Sequence, residues 1–207
     1  MFTKCRGEAK IAGMSILKVP SEGEATGLTA EIYAADVKSM GYVPSHTKTM
    51  SLNPEAHVAW ESLTKAISSS LGLRRYELVT LAAAQALGSS HCRLAHGKKT
   101  LTIIDEEQLI AIARDYRDAG LPPEEVTMMD YAVKLSTDAA AMNDDDTRRL
   151  RDAGFSDREI ADITLAAAAR NYFSRALLAL AVELDVPQGV SPELRDALLA
   201  PPPGAPQ

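Results

Sequence analysis

Cys92 is one of two cysteines in the 207-residue chain, and it stands directly after His91 and four residues before His96. The segment reads Gly88-Ser89-Ser90-His91-Cys92-Arg93-Leu94-Ala95-His96. On a helix, residues four apart share one face, so Cys92 and His96 can touch. A cap at Ser89 or Ser90 would place Cys92 in the first turn, where unpaired backbone N–H groups and the helix dipole favour negative charge. A free cysteine has a pKa of roughly 8.5, and such surroundings pull it toward thiolate, the form that attacks peroxides and disulfides. Glu77, one apolar stretch upstream, could orient His96 as the third member of a nucleophile–base arrangement. From spacing alone a packed, inert cysteine is the competing reading. Zinc is a poorer fit, because His91, Cys92 and His96 are only three candidate ligands and no second Cys or His pair exists.

These residues need helices to hold them, and helix signals dominate the chain. Only 5% of residues are aromatic, and no stretch alternates as a strand would. A first helix is predicted over 24–40, ended by Gly41. Asn53-Pro54 is an N-cap followed by proline at the first helical position, opening a helix to about Ser69. Gly72 precedes a third helix, from near Arg74 to Leu87, that carries Glu77, and Gly88 separates it from the Cys92 helix. Asp105 opens a further helix, and Pro122-Pro123 leads into another. Asn143-Asp144-Asp145-Asp146 caps a short helix ended by Gly154. Ser156 caps a long one to about Leu184, and Ser191-Pro192 starts a final short one. The pentapeptide "TLAAA" occurs at Thr80 and again at Thr164. Both an old duplication and the shared composition of alanine-rich helices account for it. On that register Cys92 and His96 align with Ala176 and Leu180.

A formal net charge of -6, from 22 basic and 28 acidic side chains, argues against general nucleic-acid binding. No apolar run approaches the ~18 residues of a membrane span. Two cysteines, Cys5 and Cys92, make no disulfide framework and suit a reducing cytoplasm. Residues 1–14 read as a disordered leader without the apolar core of a signal peptide, and Met14 is a second candidate start. Residues 15–187 read as the folded domain. Residues 188–207 read as a short helix with a disordered proline-rich tail.

The motif resembles that of the alkylhydroperoxidase D-like proteins of the carboxymuconolactone decarboxylase family. Their signature is a glutamate followed twelve residues later by Cys-x-x-Cys-x-x-x-His, often with histidine before the second cysteine. Glu77, His91, Cys92 and His96 match it, and the first cysteine is replaced by Ser89. The Gly41-Tyr42-Val43-Pro44 turn, the "NPEAHVAWESL" helix and "LRDAGFSDREIADI" extend the similarity over residues 15–187. The resemblance implies an all-α helical bundle that forms homo-oligomers, and a cofactor-free thiol peroxidase acting on a peroxide with a thiol reductant. Cys92 would be the peroxide-reactive thiol, His96 its base, Glu77 the support of His96, and His91 an aid to proton transfer. Ser89 cannot resolve an oxidised Cys92 as a disulfide. Three explanations stand open: a single-cysteine cycle served by an external thiol, an introduced substitution that blocks the disulfide, and a lost thiol cycle. The first is favoured because the other motif residues persist; Cys5 is a remote resolving candidate. Two other functions remain alternatives, acid–base chemistry by His96 and Glu77 on a lactone or carboxylated substrate, and a catalytically silent helical oligomer.

Overall fold

The computed structural model describes residues 17–201. The leader 1–14, with Cys5, and residues 202–207 of the tail lie outside the described residues. Within them the protein is all-α, with no strand, as the sequence predicts. The helices are α1 (Gly27–Met40), α2 (Ser45–Met50), α3 (Pro54–Leu71), α4 (Leu73–Ala86), α5 (Ser90–Thr100), α6 (Glu106–Asp115), α7 (Pro123–Thr137), α8 (Asp144–Asp152), α9 (Asp157–Ala179) and α10 (Pro192–Leu199). Single 3-10 turns occupy Tyr116–Asp118 and Ala139–Ala141. No helix among the described residues is long and apolar enough to cross a membrane.

The core forms around α4, which packs against α3, α5, α7 and α9. Every residue from Tyr76 to Gln85 is buried, which is why this helix reads as apolar on all faces rather than as a stripe. Glu77 is the single acidic residue in that buried run. The turn into α5 uses Gly88 at φ +66°, a left-handed conformation that side chains resist. On its far side α5 lies against α10 at Gly97, where an added Cβ would stand 2.5 Å from Leu198 Cδ1. Arg93 secures the same junction, donating to the carbonyls of Ala113, Ala197 and Ala200 at the ends of α6 and α10.

Three boundaries differ from expectation. The first helix begins at Gly27, because Ser21 and Glu24 close a turn of their own: Ser21 Oγ donates to Glu24 Oε2 at 2.6 Å. The short α2 is absent from the sequence reading. Its first turn is held by Asp185, which accepts from Ser45 N (2.6 Å) and Ser45 Oγ (2.9 Å) across 140 residues. The long helix stops at Ala179 rather than near Leu184. There Val182 N donates to Leu177 O and Ala181 N to Leu178 O, a Schellman closure with Ala181 at φ +48°. Glycine normally fills that position, so its absence concealed the stop.

Candidate active site

Four helices converge on Cys92. It lies in the first turn of α5, behind Ser89 at the N-cap, and is 2% exposed. His96, one turn further on, and Glu77 from α4 form a pair in which His96 Nδ1–H donates to Glu77 Oε2 at 2.5 Å. The expected side-by-side contact of Cys92 with His96 is instead a bridge through Arg170 of α9. Its guanidinium donates from Nη1 to Cys92 Sγ at 3.2 Å and from Nη2 to His96 Nε2 at 2.6 Å. Arginine has no acceptor, so Nε2 must carry the lone pair and Nδ1 the proton. Ser174 Oγ–H, one turn beyond Arg170, supplies a second donor to the sulfur at 3.2 Å.

Cys92, His96 and Arg170 line a pocket of about 650 Å³ whose walls include Tyr42, His46, Trp60, His91 and Phe173. Trp60 and Phe173 stack with ring centroids 4.0 Å apart, and the guanidinium carbon of Arg170 sits 5.7 and 5.8 Å from their centres. The sulfur is thus reached from an aromatic cavity, through a small exposed area.

The structure brings Glu77, Cys92 and His96 together. His91 also lines the pocket, but its Nε2–H is committed to the carbonyl of Glu183 at 2.9 Å. Ser89 stands at the helix cap without using its side chain as one. Its hydroxyl is fully buried, lacks a hydrogen-bond partner among the described residues, and neither caps α5 nor meets the sulfur. The hydroxyl on the sulfur belongs to Ser174. Sequence reasoning missed both Arg170 and Ser174. A signal for Arg170 was present: it is a lone charge after Ala166-Ala167-Ala168-Ala169 on a core helix, and such a charge requires a buried partner.

No family model matches the chain, and no curated relative matches its sequence. Solved structures do. The alkylhydroperoxidase AhpD core, an uncharacterised peroxidase-related protein from Ralstonia eutropha JMP134, matches with a TM-score of 0.72 at 23% identity, over 89% of this chain and 96% of its own. The apo debrominase Bmp8 matches with a TM-score of 0.71 at 18% identity, over 90% and 98%. These two likenesses show the fold. A protein of unknown function from Agrobacterium tumefaciens, described as an antioxidant-defence protein AhpD, is 30% identical, with a TM-score of 0.56, over 64% of this chain and 92% of its own. The chain belongs to the alkylhydroperoxidase D-like family.

In this alkylhydroperoxidase D-like chain the buried pair is a carboxylate with a neutral imidazole. Burial, reinforced by the Arg170 charge, pushes the pKa of His96 from 6.5 down to about 4, against the pull of Glu77. Burial works against ionised Glu77, but His96, Lys99 and Arg170 together hold its carboxyl below the usual value. His46 on α2 is likewise pushed down to about 4, chiefly by burial. Unfolded histidine binds a proton near pH 6.5, whereas these two bind it only near 4 when folded. The unfolded state therefore carries more protons between those values, and stability rises with pH across that window. The expected outcome is a melting temperature that is level above pH 6.5 and falls steadily toward pH 4. His46→Gln should flatten part of that fall. An unchanged melting temperature through the window would contradict neutral burial of both rings.

Proposed function

We propose that this protein is a thiol-dependent hydroperoxide reductase with Cys92 as its peroxide-reactive thiolate, recycled by an external thiol in a reducing compartment. The observation that carries the reading is the Cys92 sulfur, held by two donors at the wall of a pocket beside the Glu77–His96 pair. Donors on a sulfur stabilise its anionic form, and the first-turn position adds the helix dipole. The thiolate attacks the terminal peroxide oxygen, so that an S–O bond forms and the O–O bond breaks. The thiol proton is relayed through the pocket by way of His96 Nε2, which is neutral at rest, to the departing alkoxide. The products are Cys92 sulfenic acid and an alcohol, or water from hydrogen peroxide. One external thiol converts the sulfenic acid to a mixed disulfide with release of water, and a second restores Cys92 and leaves as the disulfide. No cofactor enters this cycle. Glu77 fixes the His96 ring and tautomer, and His91, at the pocket wall, assists proton transfer.

The test is to oxidise the full chain with one equivalent of peroxide in the presence of dimedone and map the adduct by peptide mass spectrometry. The adduct is expected on Cys92 and absent from Cys5. No adduct on Cys92, with peroxide unconsumed, would refute the reading.

Self-association belongs to the same proposal. One outer stripe of α9, Ala161, Leu165, Ala168 and Tyr172, is exposed, with Leu165 at 48% and Tyr172 at 50%. Those residues follow helical spacing, and apolar stripes of this kind bury themselves against a partner. Sedimentation equilibrium at micromolar concentration is expected to give an oligomer, and Tyr172→Glu should shift it toward monomer. A wild-type monomer would remove this part of the proposal.

A further inference from the structure

We infer that Arg170 is a catalytic residue of this site: its guanidinium holds the Cys92 sulfur as a thiolate and fixes the His96 lone pair. The inference rests on Cys92 being a reactive thiol but not on the identity of its oxidant.

Among the described residues in hydrogen-bond contact with the sulfur, Arg170 alone is a cation. Ser174 is neutral, and His96 contacts the guanidinium rather than the sulfur. The His96 ring is held uncharged, so it supplies no imidazolium at neutral pH. The full positive charge in contact with the sulfur therefore comes from α9, beside the partial charge of the α5 N-terminus. Arginine suits this, because it keeps its protons throughout and acts by charge and donation alone.

The geometry also ties three groups into one line. Glu77 holds Nδ1 of His96, and Arg170 accepts no bond, so the imidazole is locked with its lone pair toward the guanidinium. Arg170 is 2% exposed and its charge is countered through the ring by Glu77, with Lys99 acting on the carboxylate. A guanidinium has five N–H donors, and the Nε–H of Arg170 has no partner among the described residues. With N–H groups beyond those on Cys92 and His96, the group at the pocket wall can hold the sulfur and an oxygen of its oxidant together. It thereby stabilises charge as that charge moves from sulfur to the leaving oxygen.

Iodoacetamide alkylation tests the thiolate without involving peroxide. The rate at Cys92 is read at neutral pH by peptide mass spectrometry, which separates it from Cys5. Arg170→Met should slow alkylation on the order of ten- to hundred-fold, and Arg170→Lys should recover part of the loss. Arg170→Ala should be rescued by millimolar guanidinium chloride and not by sodium chloride. A purely structural arginine predicts the opposite sign, because loosening α9 exposes Cys92 and speeds alkylation. Unchanged or faster alkylation in Arg170→Met would overturn the inference. Should the variants fail to fold, nitrogen-15 spectra of the wild-type histidines decide the matter. His96 Nε2 is expected to appear unprotonated and Nδ1 protonated at neutral pH, and the reverse assignment would overturn the bridge. Wild type that alkylates as expected but never forms a sulfenic acid would sink the peroxidase reading and leave the Arg170 inference standing.

Discussion

Cys92→Ser should reduce hydroperoxide consumption to the uncatalysed level while leaving the fold intact. The sulfur is the atom oxidised, and a serine oxygen cannot accept the peroxide oxygen or be recycled by a thiol. The substitution is close to isosteric at a buried site, and Arg170 and Ser174 can donate to the new hydroxyl, so the melting temperature should move by only a few degrees. His96→Ala should act differently. Loss of a general base typically costs roughly 10²–10⁴ in rate, so a slow, measurable turnover is expected to remain. The pair of variants separates the three functional readings. If the enzyme works by acid–base chemistry on a lactone or carboxylated substrate, Cys92→Ser keeps its activity and His96→Ala loses it. A silent oligomer shows no turnover in any form. Peroxide consumption followed by absorbance, with dithiothreitol as reductant, and lactone hydrolysis measured in parallel give the required comparison.

Local features of the site and fold were legible because short-range chemistry determines them. Ser156 and Glu159 make a reciprocal capping box, so the start of α9 follows from a few residues. Asn53 accepts from Ala56 N just before Pro54, and α3 begins where that pattern puts it. Cys92 and His96 share α5, and their spacing was sufficient to place both at one site. Glu77 lies on a different helix; its chemistry as a carboxylate upstream of His96 suggested it, and the family spacing then matched it. What could not be read was long-range. Arg170 and Ser174 reach Cys92 across 78 and 82 residues. In sequence they are an arginine and a serine on an alanine-rich helix. The start of α2 depends on Asp185, a partner that no local pattern announces. The end of α9 turns on Ala181 adopting a left-handed conformation that costs roughly 1–2 kcal/mol for a side-chain-bearing residue. Packing of Val182 into the cluster with Cys92 and Phe173 compensates for that cost, and only the folded state contains it.

Ser89→Cys should convert the oxidised state from a sulfenic acid into an intramolecular disulfide. Ser89 is the N-cap of α5 at φ −85° and ψ 89°, outside the regular helix, and three residues before Cys92. This is the arrangement of a Cys-x-x-Cys pair at a helix start. The serine hydroxyl is fully buried and makes no hydrogen bond among the described residues, so a thiol replaces it without breaking one. Wild-type sulfenic acid waits for an external thiol that must approach a cysteine only 2% exposed. In the variant the resolving thiol stands three residues away on the same helix start, and effective concentrations in such pairs far exceed those of dissolved thiols. One equivalent of peroxide should therefore remove two titratable thiols, and dimedone should no longer trap Cys92. Excess peroxide should inactivate the variant on the order of tenfold more slowly, since the sulfenic acid no longer persists to be oxidised again. Reduction of the disulfide still has to enter through the Cys92 face, because position 89 is closed to solvent, so dithiol turnover remains limited at that step. If the oxidised variant keeps both thiols, or remains as open to dimedone as the wild type, then position 89 does not meet Cys92 in the resolving geometry.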